Sequence, residues 1–143
     1  MRFLVTVPAN KESEAGVLPD EKIMTEMNRF NEEMVKAGVM LAGEGLHPTS
    51  KGARLKFSGG KTTVIDGPFT ESKELIAGFW LIQVKSKEEA LAWMKRAPFG
   101  EGVVLELRQV FEPEDMGPGY TEEIRKSEER MRAQVAAKGK RAS

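Results

Sequence analysis

Ile76-Ala77-Gly78-Phe79-Trp80-Leu81-Ile82-Gln83-Val84 is the stretch on which the fold turns. With the period of two of a strand, Ile76, Trp80, Ile82 and Val84 fall on one face and Ala77, Phe79 and Leu81 on the other. Both faces are apolar, so both need a cover. C-terminal to it, Ser86 with Glu89 three residues later is a capping box. It predicts a helix whose inward face is Ala90, Trp93, Met94 and Ala97, ended by Pro98. Val103, Leu105 and Leu107 then alternate with Glu106 and Arg108 as a final strand.

N-terminal to the stretch, Ala53, Leu55 and Phe57 alternate with Arg54 and Lys56, and Lys61 to Asp66 returns with Thr63 and Ile65 opposite Thr62 and Val64. Ser58-Gly59-Gly60 between them tolerates positive φ, so the pair reads as a hairpin. Val39 to Ala42, bounded by Gly43 and Gly45, predicts a short strand that leads into a loop around Leu46-His47-Pro48. From Pro19-Asp20 a helix carries Ile23, Met27, Phe30, Met34 and Ala37 as one apolar stripe, and Gly38 closes it. Residues 9 to 18 read as a loop, and Phe3, Val5 and Val7 alternate in a first strand that stops at Pro8.

Strand, helix, strands, strand, helix, strand is the order of an α+β, ferredoxin-like antiparallel sheet with an inserted β-hairpin and two helices on one face. A second copy laid sheet to sheet would cover the other face, which predicts a homodimer. The alternative is a monomer capped by the C-terminal segment. That segment changes composition after Phe111: Pro113 and Gly117-Pro118-Gly119 precede a charged surface helix with Ile124, Met131 and Val135. It carries Glu122–Lys126 and Glu128–Arg132 at four-residue spacing. The reading is a domain over 1–111 with a charged helical extension over 112–143, fraying from Lys138.

The 143 residues suffice for a single core. Twenty-two basic and 22 acidic side chains cancel, which disfavours nucleic acid as a partner. Cysteine is absent, so disulfides and thiolate chemistry are excluded and a cytoplasmic address is expected. No segment approaches the ~20 apolar residues of a membrane span, and Met1 to Pro8 is patterned as a strand rather than a signal.

His47 is the one histidine, which removes motifs that need two imidazoles. It lies in a loop bounded by Gly and Pro, where an acid/base group can be held, or where a histidine merely caps a turn. Asp66, at a strand end before Gly67-Pro68, either accepts backbone N–H bonds in a turn or points into a pocket, where it could orient His47. Glu44 is a further carboxylate in that neighbourhood, and Lys73 or Glu74 could line a pocket mouth, although Glu71, Lys73 and Glu74 also read as a solvated turn. Ser58-Gly59-Gly60-Lys61 lacks phosphate-loop spacing and reads as a turn. Trp80 and Trp93 read as core.

Asp66-Gly67-Pro68-Phe69-Thr70-Glu71-Ser72-Lys73-Glu74, Gly78-Phe79-Trp80-Leu81-Ile82 and Ser86-Lys87-Glu88-Glu89-Ala90 together resemble the YCII-related family, in the branch known for its Asp-Gly-Pro-Phe (DGPF) motif. The resemblance spans about residues 1–111, including Ala42-Gly43-Glu44-Gly45-Leu46-His47-Pro48. It implies a ferredoxin-like fold of the dimeric α+β barrel type, with pockets between sheet and helices, and frequent encoding beside alternative sigma factors. Smaller members carry a His–Asp pair with the His on the first helix, whereas here that helix has Asn28 and Asn31 and no His. The function expected is a small-molecule enzyme doing cofactor-free acid/base chemistry. His47 would be the acid/base, Asp66 its orienting partner, and Glu44, Glu74 and Phe69 the pocket lining. The alternative is a non-catalytic dimeric ligand-binding or regulatory module, in which Asp66 caps backbone N–H groups, Pro68 fixes the turn and Phe69 plugs the core.

Overall fold

The computed structural model describes residues 1–71 and 73–139, which form two compact units, Met1–Val110 and the chain from Phe111 onward. Ser72 of the motif run and the expected fraying of 140–143 lie outside the described residues.

In the first unit, β1 (Arg2–Pro8), β2 (Met40–Gly45), β5 (Ile76–Gln83) and β6 (Glu106–Gln109) form one sheet in the order β2-β5-β1-β6, with every neighbouring pair antiparallel. The crossover from β1 to β2 runs through the helix Glu21–Lys36 and passes over β5. The crossover from β5 to β6 runs through the helix Lys87–Met94 and passes over β1. This is the ferredoxin-like α+β arrangement. β3 (Ala53–Ser58) and β4 (Lys61–Asp66) form a separate two-stranded sheet inserted between β2 and β5. Its turn places Gly59 and Gly60 at φ of +59° and +73°, the pair of positive angles a two-residue hairpin turn demands.

The periods read from the sequence explain the core. Phe3, Val5, Trp80 and Ile82 face the helices and are buried with Val39 and Val84. Phe30 and Met34 come down from the first long helix, and Ala90 and Met94 from the second. Asp20 Oδ1 accepts from Ile23 N–H and Ser86 Oγ from Glu89 N–H, each satisfying a donor the first turn leaves free, while the Glu89 carboxylate completes no box with Ser86 and accepts instead from Lys85 N–H at 2.8 Å. Trp80 is the centre of the cluster, edge-on to Phe30 (5.8 Å) and Phe99 (6.1 Å). Its Nε1–H donates to Asn31 Oδ1 at 2.9 Å. On the sheet's other face Leu4, Ala77, Phe79 and Leu81 are half-buried.

Several boundaries differ from expectation for local reasons. The loop 9–18 contains a short helix α1 (Lys11–Glu14), because Asn10 and Ser13 form a reciprocal cap. In chain order the two longer helices are therefore α2 and α3. β2 runs through Gly43 and Gly45 instead of stopping before them. A Cβ on Gly43 would lie 2.7 Å from both Met40 Cε and Trp80 Cδ1, so the glycine is what lets the strand pass the indole. α3 gives way after Met94 to tighter turns (Ala97 N–H to Met94 C=O, 3.1 Å), leaving Trp93 half-buried beneath the Arg96 guanidinium. Val103 and Val104 stay outside the last strand and are exposed, because β6 pairs β1 only from Glu106 to Gln109. Ile23 and Ile76 are exposed where a covered position was expected.

In the second unit, α4 (Glu122–Gly139) includes Lys138, and its ion pairs follow a different register. Arg125 bonds Glu122 and Glu129, while Glu128 accepts from the Tyr120 hydroxyl at 2.6 Å. That bond is the main reason the Tyr120 hydroxyl is held above its ordinary pKa. Among the described residues no helix is long and apolar enough to cross a membrane.

Candidate functional site: a cleft at the Asp66-Gly67-Pro68-Phe69 corner

The site begins with the turn after β2. Pro48 starts a single 3-10 turn (Thr49–Lys51), and Gly52 then leads into β3. The chain returns down β4 to Asp66, and Gly67 N–H donates to Gly52 C=O at 3.1 Å, which lays the corner against the 49–52 turn. Gly67 can be no other residue without moving that turn: a Cβ there would fall 1.8 Å from the Thr49 carbonyl oxygen. The Gly67–Pro68 peptide is cis.

A three-residue relay fixes Phe69. Its backbone N–H donates to Thr49 Oγ1 at 3.0 Å. The Thr49 hydroxyl donates to Glu14 Oε2 at 2.5 Å and the Thr49 N–H to Glu14 Oε1 at 3.2 Å. Glu14 closes α1, so the small helix missing from the sequence reading carries the carboxylate that anchors the corner. Over the Phe69 ring lies the Arg54 guanidinium, 3.8 Å from the centroid, a cation–π contact. Arg54 also pairs with Glu71 at 3.5 Å.

These segments enclose an open cleft of about 470 Å³. Leu46, Leu75 and Ile76 supply apolar lining, and His47, Lys51, Arg54 and Glu74 supply charge-bearing groups, with Phe69 beside them. The structure thus gathers His47, Phe69 and Glu74. It does not bring Glu44 or Asp66 to the cleft. Glu44 pairs with Phe79 in β2 while Gly43 pairs with Trp80, so strand alternation turns Glu44 to the sheet face away from the helices. Asp66 is exposed opposite Ala53, and among the described residues no hydrogen bond or ion pair joins it to His47.

The turn role assigned to the Asp66 carboxylate also needs correction, since it caps no backbone N–H among the described residues. Backbone bonds from Gly67 and Phe69 make the corner instead. Phe69 is half-buried at the cleft rather than a plug in the core cluster. Lys73 lies in an exposed turn and does not line the cleft.

Thr49, Lys51, Arg54 and Glu14 are the residues the sequence reading passed over. For Glu14 a signal existed, the Asn10 and Ser13 caps that start its helix. Among the described residues no three His, Cys, Asp or Glu side chains gather as a metal site requires.

The model of the YCII-related domain matches residues 1–114 of the chain, the sheet, both crossover helices and the corner together. The chain belongs to the YCII-related family. Over 72 residues it is 42% identical to an uncharacterised protein of Rhizobium meliloti (strain 1021). That stretch is 50% of this chain and 58% of the relative, so the likeness spans less than two thirds of the relative's length. In this YCII-related chain the first long helix gives its asparagines to structure: Asn31 accepts from Trp80, and Asn28 donates to Glu32 on the same helix.

Proposed function

We propose that the chain is a small-molecule-binding module of the YCII-related family, with its ligand in the cleft beside Phe69. The observation that carries this is the convergence of His47, Phe69 and Glu74, three residues far apart in sequence or on different segments, on one cleft with apolar lining from Leu46, Leu75 and Ile76. Its volume is in the usual range for small ligands. The Asp66-Gly67-Pro68-Phe69 run supports placing the chain in the branch that bears that motif. Amide NMR titration with small aromatic fragments is expected to shift residues 46–54 and 69–76. Leu46→Trp, which adds bulk at an exposed lining position, should abolish those shifts. Shifts that cluster elsewhere, or that persist in the variant, would sink the reading.

Cofactor-free acid/base chemistry is the second reading, and the place of His47 on the cleft favours it. Glu74 is the carboxylate that shares the cleft with His47, and it replaces Asp66 as the candidate partner. A ligand bound equally by wild type and His47→Gln but transformed only by wild type would decide for catalysis.

We also propose that the sheet face bearing Leu4, Phe79 and Leu81 meets a second copy. Its half-buried apolar side chains support this, since a sheet with two apolar faces needs two covers. Light scattering should give twice the chain mass of 15.9 kDa, and Phe79→Glu should halve it. A folded wild type with the mass of one chain would refute the dimer.

A further inference from the structure

We infer that the ligand of this cleft is a small organic carboxylate, its charge received by Arg54 and Lys51 and its apolar body laid against Leu75 and Ile76. This rests on the cleft reading above and adds the chemical class.

The charge balance of the lining points to an anion. The ammonium of Lys51 and the guanidinium of Arg54 lie there with His47, against Glu74 as the one acid of the lining among the described residues. Neither cation is saturated. Lys51 is exposed, and its ammonium makes no hydrogen bond or ion pair among the described residues. Arg54 has five N–H donors, yet its contacts are the face of Phe69 and an ion pair to Glu71 at 3.5 Å. That separation is longer than the roughly 2.7–2.9 Å of a charge-assisted hydrogen bond, so the fork remains able to take a better acceptor.

Arg54 is also held in place. Its guanidinium carbon lies 3.8 Å from the centroid of the Phe69 ring, and Phe69 is itself tied through Thr49 to Glu14. A guanidinium placed beforehand by such a contact loses less freedom when a carboxylate docks on it. The apolar lining selects for what the carboxylate is attached to. Leu46, Leu75 and Ile76 offer nothing to a bare phosphate, whereas an aromatic or branched acid buries its body there.

The test uses the full chain and three probes followed by amide NMR: benzoate, its neutral counterpart benzyl alcohol, and inorganic phosphate. Benzoate is expected to shift the amides of Arg54, Phe69 and Ile76 and to bind ~10-fold tighter than either other probe, which corresponds to one good charged contact. Arg54→Gln should remove that advantage while leaving benzyl alcohol within about twofold. If the loss of the contact with Phe69 unfolds that variant, Lys51→Gln decides, because the Lys51 ammonium holds no other group among the described residues, and it should weaken benzoate severalfold. Equal binding of benzoate and benzyl alcohol, or equal weakening of both by the variants, overturns the carboxylate inference and leaves the cleft reading standing. Phosphate binding as tightly as benzoate overturns it too, as a site for any anion. If none of the three probes shifts these amides at about 20 mM, weaker than any useful small-ligand affinity, both readings fall.

Discussion

Gly67→Ala is expected to destabilise the first unit by about 3 kcal/mol or more, at the top of the range for overpacking by one methyl group. The added carbon would sit 1.8 Å from the Thr49 carbonyl oxygen and 2.6 Å from its carbon. The obstacle is backbone, so no side-chain rotation relieves it. Thr49 cannot retreat cheaply either, because Glu14 holds its N–H and hydroxyl while its Oγ1 accepts from the Phe69 N–H. Relief therefore means parting the corner from the 49–52 turn, which takes Phe69 and Arg54 with it and dismantles the cleft.

Thr49→Val tests the same joint more gently. It leaves the Glu14 carboxylate and the Phe69 N–H short of a partner at a cost of roughly 1–3 kcal/mol. The two costs should not add, since both variants open one contact. Gly100→Ala, where a Cβ meets nothing within 4 Å, is the control. Urea unfolding of the three variants checks the argument. A Gly67→Ala midpoint indistinguishable from that of Gly100→Ala would show that the close packing at the corner does not hold.

The joint also shows what a sequence can and cannot disclose. Alternation in β1 and β5, the stripe on α2 and the cap at Ser86 are local patterns, legible because a helix or strand has a fixed period. From them the ferredoxin-like class and the helix-covered face follow. The cleft is assembled across distance: Phe69 bonds a residue 20 positions away, and Thr49 one 35 positions away. No period links Glu14, Thr49 and Phe69, so only the fold could join them. Asp66 and Glu44 attracted notice for their chemistry and their glycine neighbours. Those glycines turn out to serve packing, Gly43 beneath the Trp80 indole and Gly67 against Thr49, and the adjacent carboxylates gain no partner from it among the described residues. Arg54 was hidden by the reverse effect. It occupies an ordinary polar position of an alternating strand, and only the return of β4 brings Phe69 beneath its guanidinium.

Trp80→Ala should cost about 3–5 kcal/mol, the usual price of removing a fully packed large aromatic. The indole is 4% exposed at the centre of the sheet and touches a partner from every layer around it. Phe30 from α2 and Phe99 from the segment after α3 meet it edge-on, Gly43 of β2 lies against it, and Asn31 receives its N–H. Collapse cannot fill the gap well, because Gly43 has no side chain to swing in and Asn31 would bring a polar group toward an apolar hole. Trp80→Phe keeps most of the apolar volume but drops the donor to Asn31. Asn31 is only half-buried and can be rehydrated, so this variant should lose about 1–2 kcal/mol. Trp93→Ala is the informative comparison, being the same deletion at a half-buried site whose polar neighbour is the exposed Arg96. It should cost well under half as much, and the surviving tryptophan in each variant reports unfolding by fluorescence. Equal costs at positions 80 and 93 would mean that the core is not organised around Trp80. The ordering Trp80→Ala, then Trp80→Phe, with Trp93→Ala well below the first, is what a sheet packed on that indole requires.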